Sequence, residues 1–117
     1  MNHTNKIFYI EFQASDLEGT KAFFTKAFGW TFTDYGPDYT SFSDGQLAGG
    51  FARSDKRGTL ASGSPLVVLF NARLEETLAL VVASGGTVTR DIFSYPGGRR
   101  FHFTEPSGNE LSVCAET

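Results

Sequence analysis

The feature that most limits what this chain can fold into is a repeat. The run Asp16-Leu17-Glu18-Gly19-Thr20 returns as Arg73-Leu74-Glu75-Glu76-Thr77, an offset of 57 positions (Asp16 to Arg73). At the same offset Phe23 meets Leu80, Phe24 meets Val81 and Gly29 meets Gly86. A chain that repeats one supersecondary unit must pair the two copies, because neither buries its apolar face alone.

The surrounding pattern defines the unit. Ile7 to Ala14 reads as a strand, with Phe8, Ile10 and Phe12 on one face and Ile7, Tyr9, Glu11 and Gln13 on the other. Ser15-Asp16 opens a helix, Glu18 favours its positive end, and Leu17, Thr20, Phe24, Ala27 and Phe28 recur at helical spacing up to Gly29. Three short strands follow: Trp30 to Asp34, Thr40 to Ser43 and Leu47 to Arg53. Their turn signals are Gly36-Pro37-Asp38 and Asp44-Gly45. A polar Ser- and Gly-rich stretch, Ser54 to Ser64, reads as a linker that serves as a mobile lid or only a tether. The order then repeats: a strand from Leu66 to Asn71, a helix from Arg73 to Ser84, and strands from Thr87 to Phe93 and from Arg99 to Thr104. The fold class is α+β, two tandem βαβββ modules in one domain: module one 6–53, linker 54–64, module two 65–115.

Composition narrows the partners. With 117 residues the chain forms one domain with a real core. Its 12 Phe must be buried or must line a pocket. A net charge of −3 and basic pairs no longer than Lys56-Arg57 and Arg99-Arg100 argue against a nucleic-acid groove. The single cysteine, Cys114, excludes an internal disulfide and fits a reducing compartment. No signal peptide or membrane-length apolar run is readable, so the expected location is cytoplasmic, away from any membrane.

The chain closes on Phe103-Thr104-Glu105-Pro106-Ser107-Gly108-Asn109-Glu110-Leu111, a strand, a tight turn and a last strand in which Glu110, Ser112 and Cys114 alternate with Leu111, Val113 and Ala115. This block, the segment Glu11-Phe12-Gln13-Ala14-Ser15-Asp16-Leu17, Ala22-Phe23-Phe24, Phe28-Gly29-Trp30 and Leu74-Glu75-Glu76-Thr77-Leu78 with Gly85-Gly86 together resemble the vicinal oxygen chelate superfamily, the glyoxalase/bleomycin-resistance/dioxygenase fold. The resemblance spans both halves. It implies a curved mixed sheet around a cleft, with helices outside.

By the same resemblance, sheet residues facing away from the helices line the cleft. The expected ligand-binding set is Tyr9, Glu11, Phe42, Phe51, Leu66, Phe70, Arg100, His102, Ser112 and Cys114, with Val68 between Leu66 and Phe70. The metal positions of that family fall on Tyr9, Leu66, Ser112 and a place within 49–53, and none offers a His or a carboxylate. No metal or other cofactor is therefore expected. A shifted metal site would have to use Glu11, His102 and Glu110.

Glu11 and His102 are the candidate catalytic pair. Glu11 is a general base if its cavity desolvates it, and a structural carboxylate if it pairs with Arg53 or Arg100. His102 is an acid/base partner or a hydrogen-bonding group. Cys114 is read as a small hydrophobe. The expected function is metal-free binding of a small apolar or aromatic-bearing molecule. The alternatives are a lyase, isomerase or dioxygenase of the same fold and a protein–protein module with a vestigial cleft. A homodimer is implied by the resemblance.

Overall fold

The computed structural model describes residues 2–117. Its elements run β1 (Tyr9–Ala14), α1 (Leu17–Phe28), β2 (Thr31–Asp34), β3 (Tyr39–Ser43), β4 (Ala48–Arg53), β5 (Val67–Phe70), α2 (Leu74–Ala83), β6 (Thr87–Tyr95), β7 (Gly98–Thr104) and β8 (Glu110–Ala115). This is βαβββ twice. Each module contributes one four-stranded mixed sheet, ordered β1-β4-β3-β2 and β5-β8-β7-β6, as expected of two paired βαβββ units. In each, the first strand lies parallel to the fourth and the others pair antiparallel.

Both helices form for local reasons, and they start differently. Asp16 caps α1 by accepting from the Gly19 backbone N–H at 2.9 Å, and Gly29 ends the helix in the left-handed region. At the matching place α2 has Arg73, which cannot cap, so α2 begins without a side-chain cap bond. The second half keeps its helix by burying Leu74, Thr77 and Val81.

The core is one aromatic stack shared by both modules. Trp30 lies flat between Phe24 and Phe42, at 4.3 Å and 4.5 Å between ring centres. Phe51 packs on Phe12, Phe24 and Phe42, while Phe23 and Phe28 reach across to Phe103 of module two. Phe42 and Phe51, expected to line the cleft, therefore belong to the core. The register sets this: Phe51 pairs with Phe12 on β1 and Phe42 pairs with Phe32 on β2, so all four share the helix-facing side.

A buried polar cluster docks the closing turn onto α1. The Glu105 carboxylate accepts from Thr20 Oγ1 at 2.5 Å and from the Asn109 backbone N–H at 3.0 Å. Ser107 Oγ accepts from the Asp16 N–H at 3.0 Å and lies 2.7 Å from Thr20 Oγ1. Asn109 donates to the Gln13 carbonyl at 2.7 Å and accepts from the Gly58 N–H at 2.9 Å. One turn thus ties β1, α1, the linker and β8 together. Gly108 makes it possible with φ of 91°, a conformation that a side chain would strain.

The linker is hydrogen-bonded to the body of the fold. Besides the Asn109 contact, the Leu60 N–H donates to Glu110 Oε1 at 2.8 Å and Glu110 N–H donates to the Gly58 carbonyl at 2.9 Å. Turns closed by Thr59, Ser62 and Ser64 fold it on itself.

Burial raises the Glu105 carboxyl pKa above 4.5, only partly offset by its hydrogen bonds from Thr20 and Asn109. A carboxyl with a raised native pKa contributes most below its unfolded value, and that contribution is lost as pH rises through the native value. Glu105→Gln should therefore remove a pH-dependent loss of stability that the wild type shows above about pH 4.5. Glu105→Ala should cost about 3 kcal/mol by leaving buried donors unpaired. Urea unfolding of the three proteins across pH 4 to 8 measures both; identical pH slopes in wild type and Glu105→Gln would contradict the assignment.

Candidate functional site

Each sheet has one face on the core and one turned away from the helices, and strand alternation decides what the open face carries. On the first sheet it carries Tyr9, Glu11 and Gln13 from β1. Tyr39 of β3 reaches over Gly50 so that its hydroxyl donates to Glu11 Oε1 at 2.9 Å and meets the hydroxyl of Tyr9. A Cβ at residue 50 would collide with both tyrosine hydroxyls, so the glycine is what lets the rings lie over the strand. Burial, followed by its bonds to Tyr9 and Glu11, drives the Tyr39 phenol far above its usual range and keeps it a neutral donor.

On the second sheet the open face carries Val68 and Phe70 from β5, Ser112 and Cys114 from β8, and Arg100 and His102 from β7. Register pairs Val68 with Ser112, Phe70 with Cys114, His102 with Ser112 and Arg100 with Cys114, as the alternation requires. β6 adds Arg90 and Phe93, opposite His102 and Arg100. The Arg90 guanidinium sits 3.6 Å above the Phe93 ring, and Arg100 lies 5.5 Å from Phe93 and 5.3 Å from Tyr95. His102 is 2% exposed, meets Phe93 edge-on, and places Nδ1 3.8 Å from Glu110 Oε2.

The pinned linker divides the open side into two cavities. One, of about 330 Å³, lies between the linker and the first sheet, with Glu11, Gln13, Arg57, Ser64 and Asn109 in its wall. The other, of about 370 Å³, lies against the second sheet and is lined by Leu60, Ala61, Thr89, Arg90, His102 and Glu110. Both are small for ligand pockets; the wall of the first is mainly polar and that of the second is mixed.

The expected residues are thus partly gathered. Tyr9, Glu11, Phe70, Arg100, His102, Ser112 and Cys114 lie on the open faces, and Leu66 stands just before β5, outside the strand. Glu11 and His102 border different cavities, so they do not form a pair. Glu11 is exposed and accepts from the Tyr39 hydroxyl, so its environment is not the closed cavity that a general base here would require. Neither arginine holds it: Arg53 pairs with Asp38 at 3.0 Å, and Arg100 sits with the aromatic rings. Sequence reasoning missed Tyr39, Arg90 and Phe93. The Gly49-Gly50 pair was the available signal for Tyr39, since glycines inside a strand mark a close approach.

The metal expected of such a fold does not suit these side chains. Ser112 is fully buried and spends its hydroxyl on the Phe101 carbonyl at 2.8 Å. Tyr9 is engaged with Tyr39, and Leu66 offers hydrocarbon. The shifted trio fails as well, because Glu11 lies apart from His102 and Glu110. Among the described residues no group of three or more His, Cys, Asp or Glu is placed to hold an ion.

Residues 6–113 match the model of the Glyoxalase/Bleomycin resistance protein/Dioxygenase superfamily. No curated protein sequence matches the chain. Among solved structures, a glyoxalase-related enzyme from Fulvimarina pelagi superposes with a TM-score of 0.79 at 16% identity, covering 95% of this chain and 88% of the other. A variant of the fosfomycin resistance protein FosX from Listeria monocytogenes, complexed with Mn(II) and a dihydroxypropylphosphonic acid, gives 0.79 at 18% identity, covering 97% and 91%. TioX from Micromonospora sp. ML1 gives 0.71 at 15%, covering 97% and 100%. At these identities the likeness establishes the fold.

His102 offers a direct check on the second sheet's electrostatics. Burial lowers its pKa below 6.5; Arg100 and Arg90 push the same way, and Glu110 opposes them. A lowered native value means that this histidine favours folding above pH 6.5 and that its contribution is lost as pH falls through the native value. The ring proton followed by NMR should titrate below 6.5, Arg100→Met should move it up and Glu110→Gln further down. Titration at or above 6.5 in the wild type would contradict this arrangement.

Proposed function

Because this chain belongs to the Glyoxalase/Bleomycin resistance protein/Dioxygenase superfamily, we propose that it binds a small apolar or aromatic-bearing molecule on the open side of its sheets, without a metal. The observation that carries this reading is the exposure of apolar side chains there: Phe70 is 60% exposed, Val68 41% and Tyr9 40%. Large apolar groups on the open faces of the two sheets, away from the core, are what a ligand or partner surface requires. The unsuitable donor set supports binding over metal catalysis. Members of this fold are put to both uses, so the reading comes from the site and not from the fold.

The protein is read as a cytoplasmic homodimer. The lone Cys114 is free, and no described helix is long and apolar enough to cross a membrane.

A second reading is favoured by one observation. His102 Nε2 is buried without a hydrogen-bond partner, and the Glu110 carboxylate lies 3.8 Å from Nδ1, where its charge acts on the imidazole without a hydrogen bond. This would be a lyase, isomerase or dioxygenase in which His102 acts and Glu11 stands aside. Turnover of a glyoxalase-type substrate that is lost in His102→Gln and kept in Glu11→Gln would establish it over simple binding.

The binding reading is tested by a thermal-shift screen of neutral aromatic and aliphatic molecules. A ligand at about a hundred times its Kd should add about 2.7 kcal/mol and raise the melting temperature by several degrees. Phe70→Ser should abolish that shift and leave the ligand-free protein folded, since Phe70 projects from the core. A panel without any shift, or a shift unchanged in Phe70→Ser, would count against a site on this face.

A further inference from the structure

Two arginines on the second sheet have no acid to answer them. Among the described residues Arg90 and Arg100 make no ion pair, although Arg53, Arg73 and Arg99 each have a carboxylate within 3.0 Å. Both crowd the ring of Phe93, and both act on His102 in the direction of like charge. The one acid nearby, Glu110, is committed: Oε1 accepts from the Leu60 N–H at 2.8 Å and Oε2 from Thr89 Oγ1 at 2.9 Å. The local balance is two guanidinium charges against one carboxylate.

The same spot holds two buried polar atoms without partners, Arg100 Nε and His102 Nε2. Buried donors and acceptors are nearly always satisfied, so two orphans two residues apart on one strand face leave hydrogen-bonding capacity for a group from outside the chain. His102 also lines the cavity of about 370 Å³ whose wall includes Arg90, and whose far side is the apolar Leu60-Ala61 of the linker. Cation–π attraction to Phe93 and Tyr95 favours these positions of the two guanidinium groups before any anion arrives.

We propose that this cavity is a carboxylate-binding site that takes a small organic monoanion. Its carboxylate meets the Arg90 guanidinium and the imidazole of His102, Arg100 behind them adds positive charge, and its apolar body lies against Leu60 and Ala61. A single negative charge matches the local excess of one positive charge, which a dianion would overshoot. The inference rests on the open side being the ligand surface and adds the charge of the ligand and the residues that read it.

The test uses benzoate and its neutral counterpart benzamide, titrated into the whole chain with chemical shifts followed by NMR, including the His102 ring nitrogens. Benzoate should saturate, shift Nε2 and bind roughly tenfold or more tightly than benzamide, as one charge-assisted hydrogen bond allows. Arg90→Met, on an exposed side chain that the fold does not need, should weaken benzoate by a similar factor and leave benzamide unchanged. Arg100→Met is the companion variant. Equal binding of benzamide and benzoate at this cavity would overturn the charge assignment while leaving a small-molecule site. Benzoate shifts confined to other residues, or unaffected by Arg90→Met, would overturn the location. Failure of both probes to bind anywhere on the open side would remove both the inference and the reading beneath it.

Discussion

The fold depends on the docking of one turn. Glu105, Ser107 and Asn109 are buried polar residues in a five-residue stretch, and each finds its partners in module one or in the linker. Buried polar groups are costly unless all are satisfied, so such a cluster accepts one arrangement of its neighbours and rejects others. Aromatic packing between Phe23, Phe28 and Phe103 supplies attraction between the halves but little direction. The turn supplies the direction. Thr20 on α1 can meet Glu105 only if the helix start and the β7–β8 hairpin are brought end to end, and Asn109 then holds Gln13 and Gly58 on either side.

That placement determines the site. With the turn fixed, the linker lies across the open side and is pinned through Glu110, and it separates the space there into two cavities. The two faces have different chemistry. The first is a neutral hydroxyl cluster around Tyr39, aligned over Gly50 and anchored on Glu11. The second is a guanidinium and aromatic surface around Phe93. Glu11 and His102 are on different sides of this divide, so a shared proton-transfer step between them has no geometric basis.

Much of the backbone was legible in the sequence because it rests on short-range rules. The alternation in β1, β5 and β8, the Asp16 cap, the Gly29 stop and the hairpin at Pro106-Gly108 are all local, and the fold class followed from their repetition. The faces of Phe42 and Phe51 were not legible. β3 and β4 are short, and Gly49-Gly50 removes the side-chain pattern that would reveal which face α1 and Trp30 cover. The Glu105 cluster was hidden for another reason: its partners are 85 and more residues away, at Thr20 and Asp16, and no periodicity encodes a contact of that range. Arg90 escaped notice because β6 carries register irregularities on both sides of it, which break the simple alternation used to assign faces.

The absence of a fitting metal donor set is the claim on which the functional account turns. Elemental analysis settles it after incubation of untagged protein with Mn(II), Ni(II), Zn(II) and Fe(II) and exhaustive dialysis without chelator. The account predicts no metal above background with any of the four, and a melting temperature unchanged by EDTA. Retention of close to one ion per chain, released by EDTA with loss of stability, would contradict the reading of Tyr9, Leu66 and Ser112.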